Sequence, residues 1–198
     1  MRVWFILLSV WLLSSCASHT PKVHYYLLTE PSYTAQPVSA AAPVAIGVVS
    51  LADYLGGTGL VVEQAGAEIV LTRQHRWAEA LDRQLQRQLR QGLGQLYPGA
   101  AWRLHSQQVG TYYRLDVLVD AFQITADNTA RVDIQWYIQH RGQGVIHTAR
   151  LEHRLPLTGE GYGAAVAALS EAWHHVLQQM AADVQAHVLK QERVAGHD

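Results

Sequence analysis

The sequence has little of the chemistry on which most enzymes and metal proteins depend. It contains one cysteine, Cys16, which excludes an intramolecular disulfide and a cysteine-based metal cluster. Its 15 basic and 16 acidic residues give a formal net charge of −1, without the basic excess of a nucleic-acid-binding protein. No apolar run approaches the roughly 20 residues of a membrane-spanning helix. We therefore expect no nucleic-acid partner and no transmembrane segment.

Catalytic and metal-binding motifs are also missing. The glycine cluster at residues 56–59 is not followed by Gly-Lys-Ser/Thr, so it favours a tight turn over a phosphate-binding loop. The 11 histidines are scattered and include no His-Glu-x-x-His pair. Asp116 and Asp120 share a strand face without an obvious partner, which is typical of solvated carboxylates. The sequence predicts no catalytic residue, no metal site and no cofactor.

The N-terminus carries a secretion signal. Arg2 precedes the apolar run Val3 to Leu13, and Leu13-Ser14-Ser15-Cys16 closes that run. A charged start, a short apolar middle and small residues before the cut are typical of a signal peptide. Leu-Ser-Ser-Cys resembles a bacterial lipobox, whose cysteine is lipidated and becomes the first mature residue. We predict a signal peptide over residues 1–15 and lipidation of Cys16; the alternative is an ordinary signal peptide or first helix with a buried cysteine.

The residues after Cys16 indicate where the protein is held. Lipoproteins with this motif are retained in the inner membrane by an aspartate after the cysteine, and here that residue is Ala17. We therefore expect an outer-membrane anchor, facing the periplasm of a Gram-negative bacterium. Residues 16–23 form a tether whose last seven residues span at most roughly 25 Å. The domain must then lie near its own membrane, and a partner in the opposite membrane must reach toward it.

Residues 24–198 are predicted to form a single domain, since that length is sufficient to bury one core. His24 to Leu28 favours a strand, and residues 31–43, rich in Pro, Ala and Ser, favour a loop. The apolar run Val44 to Leu51 predicts a buried central strand. Leu60 to Glu63 and Glu68 to Leu71 flank a turn and predict a hairpin.

Two long helices are predicted, over Trp77 to Tyr97 and Tyr162 to Leu189. Apolar residues recur every three or four positions in each, with arginines and glutamines on the other face of the first helix. Such a stripe can pack on a partner helix, on a second copy of the chain or on the protein's own sheet, and its short length favours the sheet. The stripes consist of Trp77, Leu81, Leu85, Leu89, Leu93 and Leu96, and of Tyr162, Val166, Leu169, Trp173, Leu177, Met180, Val184 and Val188.

Residues 101–154 alternate between apolar and polar side chains, which predicts an antiparallel meander with one solvated face. A phase change near Ala121 predicts a β-bulge, and Asp127-Asn128 and residues 141–144 predict the turns. Together with the helices, this predicts an α+β fold in which two long amphipathic helices cover one face of a mostly antiparallel sheet. The expected core includes Trp77, Leu81, Leu85, Leu89, Trp136, Val166, Leu169 and Trp173.

The loop Asp53 to Gly59 combines glycines with two large side chains, Tyr54 and Leu55. Loops of this kind either bury such side chains or offer them to a partner. Tyr54 and Leu55 are therefore candidate partner-contact residues, and the alternative is that they cap the edge of the sheet.

The order of these features resembles the ABC-type transport auxiliary lipoprotein family. The resemblance covers the whole mature chain, although Ala52 stands where the family has the proline of Pro-x-Tyr-Leu. It is carried by the lipobox, Tyr25-Tyr26-Leu27-Leu28, Val48-Val49, Asp53-Tyr54-Leu55, Val61-Val62, Arg76-Trp77-Ala78-Glu79-Ala80-Leu81, Phe122, Trp136 and Gly161-Tyr162.

The resemblance implies a non-enzymatic component of an intermembrane lipid transport system. Its expected partner is a protein with mammalian-cell-entry (MCE) domains, with an ABC permease and ATPase reached indirectly. The first alternative is a lipid-binding module that holds an acyl chain in a helix–sheet cleft, since such a cleft would be apolar. The second is a lipoprotein that only scaffolds the envelope.

Overall fold

The computed structural model describes residues 21–30, 32–37, 43–104 and 113–189. The predicted signal peptide at residues 1–15, the predicted lipidation site Cys16 and the tail from Lys190 lie outside the described residues, so the predictions made for them stay predictions.

The described residues form eight strands and two α-helices in a mixed order along the chain. The strands are β1 His24–Tyr26, β2 Val44–Leu51, β3 Gly59–Glu63, β4 Ile69–Trp77, β5 Trp102–Leu104, β6 Tyr113–Ile124, β7 Thr129–His140 and β8 Gly144–Pro156. The helices are α1 Leu81–Leu96 and α2 Gly161–Val184. A 3-10 turn at Asp53–Leu55 follows β2, and a π-helical turn at Gln185–Leu189 ends α2.

All eight strands belong to one sheet, and the predicted α+β fold is confirmed. The strand order is β1-β4-β3-β6-β2-β5, with β7 on the other edge of β6 and β8 beyond it. The long pairings, β6 with β7 and β7 with β8, are antiparallel, as is the β3–β4 hairpin. Four shorter pairings are parallel: β1–β4, β2–β5, β2–β6 and β3–β6. The β6 register shifts between Val119 and Ala121, where the bulge was predicted.

Both helices pack on the same face of the sheet and on each other. Helix α1 contacts β2 and β5, whereas α2 contacts β6, β7 and β8. Every residue of the predicted core set is buried, and both apolar stripes lie inside one hydrophobic cluster except for Tyr162, which is half-buried against it. The ring of Trp136 enters this core from β7, and its Nε1 donates to Asp183 Oδ2 on α2 at 3.0 Å. The stripes therefore serve the protein's own sheet.

The predicted start of the first helix is wrong. Trp77 ends strand β4, where it pairs with Tyr26 of β1, and its backbone N–H donates to Thr58 O at 2.7 Å. Helix α1 begins only at Leu81, after Ala80 in extended conformation. Trp77 is nevertheless buried with the helix stripe. Trp77 lies four residues before Leu81, which matches a helical period. The match arose because the Trp77 side chain from the strand and the Leu81 side chain from the helix are buried in the same core.

No helix among the described residues is long and apolar enough to cross a membrane.

Candidate functional site

The chain enters the described fold at the edge of the sheet that β1 forms with β4. His24 pairs with His75, and their rings stack with centroids 5.3 Å apart. His75 also stacks on Tyr162 at 3.7 Å, and its Nδ1 lies 2.9 Å from the hydroxyl of Tyr26. Burial, followed by the neighbouring His24, lowers the pKa of His75. These contacts hold β1 against β4 at His24, the residue that follows the predicted tether.

The predicted partner-contact loop forms the 3-10 turn Asp53–Leu55. Leu55 is only 2% exposed and belongs to the hydrophobic core. Tyr54 is half-buried, and its hydroxyl lies 2.9 Å from Asp120 O and 2.8 Å from Gln123 Oε1, either of which can accept its hydrogen. Partner contact by this loop stays a prediction. The positions of this loop that are open to a partner are Asp53, Gly56, Gly57 and Thr58, together with the exposed part of Tyr54.

Tyr54 adjoins a network of charged side chains on the face of the sheet opposite the helices. Arg150 donates to both carboxylate oxygens of Asp133, and Arg131 donates to Oδ2 at 3.2 Å. Arg150 also lies 3.5 Å from Asp120. Hydrogen bonding to Arg150 keeps the pKa of Asp133 below its ordinary value, whereas burial raises the pKa of Tyr54. Asp133 and Arg150 thus stabilise each other's charged form.

The sequence-based interpretation of Asp116 and Asp120 as carboxylates without partners is wrong. Asp116 accepts hydrogen bonds from Arg114 Nε at 2.7 Å and Gln139 Nε2 at 2.9 Å. Its Oδ1 also accepts from the backbone N–H of Val48 at 3.2 Å. Arg114 lies two residues away on the same strand, whereas Gln139 and Val48 lie on β7 and β2, so alternation along β6 could not reveal those two partners. Both aspartates therefore have partners within the fold.

A segment after β1, which we call the strap (residues 27–30 and 32–37), crosses the outer side of the helix pair. Leu28 N–H donates to Gln84 Oε1 at 3.0 Å, and Thr29 N–H donates to Ser170 Oγ at 3.0 Å. The carbonyl of Thr29 accepts from Gln88 Nε2 at 2.9 Å and lies 3.0 Å from His174 Nε2. The strap therefore ties α1 to α2 through four polar side chains.

The glutamines of α1 were assigned to a solvated face, and for two of them this is wrong. Gln84 and Gln88 are buried beneath the strap, where they bind its backbone. The only signal of this in the sequence is that glutamines adjoin the leucine stripe. Such glutamines indicate a covering backbone segment, because an amide side chain can satisfy both N–H and C=O groups.

Tyr33 fixes the far end of the strap. Its N–H donates to Gln95 and its hydroxyl donates to His174 O, and burial raises the pKa of Tyr33.

Several histidines, scattered in sequence, form pairs in the fold. His147 stacks on His187 at 4.0 Å and lies 3.1 Å from Asp183, and His153 stacks on His175 at 4.7 Å. Within the described ranges, however, no group of three or more His, Cys, Asp or Glu side chains is arranged to hold a metal ion.

Two concavities on the described surface lie outside the helix–sheet interface. One, of about 400 Å³, is lined by residues 70–75 and Tyr162. The other, of about 560 Å³, is lined by Asn128 and residues 157–161. Large apolar side chains on the surface are Tyr25, Leu27, Val48, Ile69, Val70, Leu71 and Val145.

Comparisons with known proteins agree with the resemblance seen in the sequence. The family model of the ABC-type transport auxiliary lipoprotein component matches residues 26–181. The intermembrane transport lipoprotein PqiC of Escherichia coli (strain K12) is 28% identical over 187 residues, which cover 93% of this chain and 98% of that protein. PqiC of Shigella flexneri shows the same identity and coverage.

Solved structures share the fold. The crystal structure of an uncharacterized protein matches with a TM-score of 0.69 and 26% identity, covering 83% of this chain and 99% of that one. A protein from Xanthomonas campestris also gives a TM-score of 0.69, at 15% identity, covering 80% of this chain and 93% of its own. At that identity the second match shows the fold alone.

Proposed function

Because the chain belongs to the ABC-type transport auxiliary lipoprotein family, we propose that it is a non-catalytic component of an intermembrane lipid transport system. Lipid on Cys16 anchors it in the outer membrane, and the domain faces the periplasm. The observation that carries this proposal is the similarity to PqiC, an intermembrane transport lipoprotein, over 93% of the chain. The family match over residues 26–181 extends it to both helices and the sheet.

The proposed partner is an MCE-domain protein that reaches across the periplasm. The ABC permease and ATPase would then act on this protein only through that partner. The short tether supports this role, because β1 begins eight residues after Cys16 and keeps the domain beside its membrane. The charged side chains near Tyr54 pair with one another, Arg150 with both Asp133 and Asp120, which is consistent with a non-catalytic role.

The alternative, an acyl chain held in a cleft between helices and sheet, would require incompletely buried stripes. Instead, the leucines at 85, 89 and 93 and Trp173 are fully buried against the sheet and each other. We therefore favour the docking role over lipid storage within the domain.

The test uses Cys16→Ser in the cells that produce the protein. We expect an unprocessed precursor that no longer fractionates with the outer membrane. Crosslinking of the wild-type envelope followed by mass spectrometry should recover an MCE-domain protein with this chain, and the Cys16→Ser variant should recover far less. Mature protein of normal mass at the outer membrane in the variant would contradict the anchor. Recovery of no MCE-domain protein by the wild type would contradict the docking role.

A further inference from the structure

The β3–β4 hairpin ends in three consecutive apolar residues that point away from the core. Ile69 is 40% exposed, Val70 is 37% exposed and Leu71 is 49% exposed. We call these three residues the apolar tip. Strand side chains alternate between the two faces, so both faces of the hairpin are apolar here. Soluble surfaces seldom expose contiguous apolar side chains without a binding role.

The outer edge of β4 is also uncovered along the apolar tip. Strand β1 pairs only with His75, Arg76 and Trp77. No other strand in the described part of the chain pairs with the outer edge of β4 from Ile69 to Gln74. An apolar edge strand left open is an aggregation hazard that proteins normally cover. Something outside the described fold should therefore cover this end of the hairpin.

The path of the chain indicates what that cover is. Strand β1 runs parallel to β4, with His24 opposite His75, so the residues before His24 leave toward the apolar tip. The length of β4 between His75 and Ile69 is about 20 Å. The eight residue steps from Cys16 to His24 span at most roughly 29 Å. The tether is therefore long enough to place a lipid on Cys16 at the same level along β4 as the apolar tip.

Charges near this edge complement a phospholipid surface. Lys22 and Arg73 are exposed, and Arg76 is half-buried beside them. Two acidic residues adjoin the apolar tip: Glu68 precedes it, and Glu63 pairs with Ile69 across the hairpin, where its carboxylate accepts from Gln123 Nε2 at 2.9 Å. Basic side chains at this distance from an apolar insertion favour anionic headgroups. An apolar tip, a basic flank and a nearby acyl anchor together form the combination of signals that holds a protein firmly at a bilayer.

We propose that the apolar tip inserts into the surface of the same membrane that holds the lipid on Cys16. The hairpin is then a second membrane contact, and it sets the orientation of the domain. This inference rests on the proposed anchor at Cys16. The opposite edge of the sheet, at β8, then points away from the bilayer.

The experiment uses the full-length lipidated protein in vesicles of phosphatidylethanolamine and phosphatidylglycerol. Because an acylated Cys16 has no free thiol, Val70→Cys introduces a single labelling site for an environment-sensitive dye. Val145→Cys is the matched control, since Val145 is 54% exposed and lies on β8 at the other edge of the sheet. Spin-labelled lipids should quench the dye at position 70 several-fold more than the dye at position 145. Adding Leu71→Ser to Val70→Cys should reduce that quenching.

Equal and weak quenching at both positions, in protein that floats with the vesicles, would overturn the membrane contact while leaving the anchor intact. A free thiol at Cys16 and protein that does not float would overturn the anchor, and with it this inference.

Discussion

Arg150 holds Asp133 with a two-pronged contact across strands β7 and β8. Its Nε lies 2.9 Å from Oδ1, and its terminal nitrogen lies 2.7 Å from Oδ2. The Asp133 side chain is 1% exposed although it faces away from the helices. The long stems of the neighbouring arginines cover it, so a carboxylate on the solvated face of the sheet is buried by its own partners.

Replacing Arg150 by Ala should lower the free energy of unfolding by about 1–3 kcal/mol, because the buried Asp133 keeps only its bond to Arg131. Arg154→Ala is the control: its pair with Glu152, on the same strand, is more exposed and should contribute at most about 1 kcal/mol. Urea denaturation at pH 7 measures both. Equal losses in the two variants would show that Asp133 is not buried by this contact.

Acid should weaken the fold partly through Asp133. Its pKa is below the ordinary value, mainly because Arg150 binds the carboxylate. The stabilisation is therefore complete above the ordinary carboxyl pKa of about 3.9 and is lost as the pH falls through the lower value in the fold. In Asp133→Asn, which cannot titrate, the loss of stability between pH 5 and pH 2 should be smaller than in the wild type. An unchanged acid slope would assign that loss to other carboxylates.

The strap should detach when Gln84 is replaced by Leu. The change leaves Leu28 N–H and Glu79 O without their buried partner and should cost about 1–3 kcal/mol. Hydrogen exchange at Leu28 and Thr29 should accelerate more than exchange in the β6–β7–β8 meander. Gln95→Ala, which removes one exposed bond from the same helix to Tyr33, should have a smaller effect. Uniform acceleration across the sheet would mean that the variant weakens the whole fold.

Two glycines of helix α1 should respond oppositely to alanine. A Cβ at Gly94 would meet no atom within 4 Å, so Gly94→Ala should stabilise the helix by about 1 kcal/mol. A Cβ at Gly92 would lie 2.9 Å from Leu177 of α2 and from Tyr33 of the strap. Gly92→Ala should therefore lower the melting temperature relative to Gly94→Ala. Equal gains would show that α2 and the strap can move away without cost.

Histidine 174 should make stability depend on pH near neutrality. Burial lowers its pKa, although its bond to Thr29 O opposes this. The unfolded chain therefore binds a proton first as the pH falls below about 6.5, and the free energy of unfolding should decrease from pH 7 to pH 5. His174→Gln keeps a donor toward Thr29 O but cannot titrate, so its pH slope should be shallower. The same slope in both proteins would exclude His174 as a contributor.

Partner contact at the Asp53–Leu55 loop can now be tested without disturbing the core. Leu55→Ser would expose a buried position, so it would report on folding alone. Gly57→Arg adds a side chain where a Cβ meets no atom within 4 Å. It should reduce copurification with the proposed MCE-domain partner, whereas Gly142→Arg on the β7–β8 turn should not. Unchanged copurification with Gly57→Arg would remove this loop from the interface.

Periodic and local features could be predicted from the sequence because their causes lie within a few residues. Alternation identified the β6–β7–β8 meander, a phase change located the bulge near Ala121, and recurring leucines identified the buried face of α1. The lipobox at Cys16 is likewise a local motif, and its lipidation stays a prediction.

Only the tertiary structure decided features whose partners are distant in sequence. It assigned Trp77 to a strand, buried Gln84 and Gln88 under the strap, and paired β1 with β4 in parallel. It also assembled the charges around Asp133 from two strands. A polar residue is buried only when a remote segment supplies its hydrogen bonds, and no local pattern records that segment. The exposure of Ile69 and Leu71 likewise depends on the tertiary structure, because β1 pairs with β4 only from His75 onward and leaves the apolar tip uncovered.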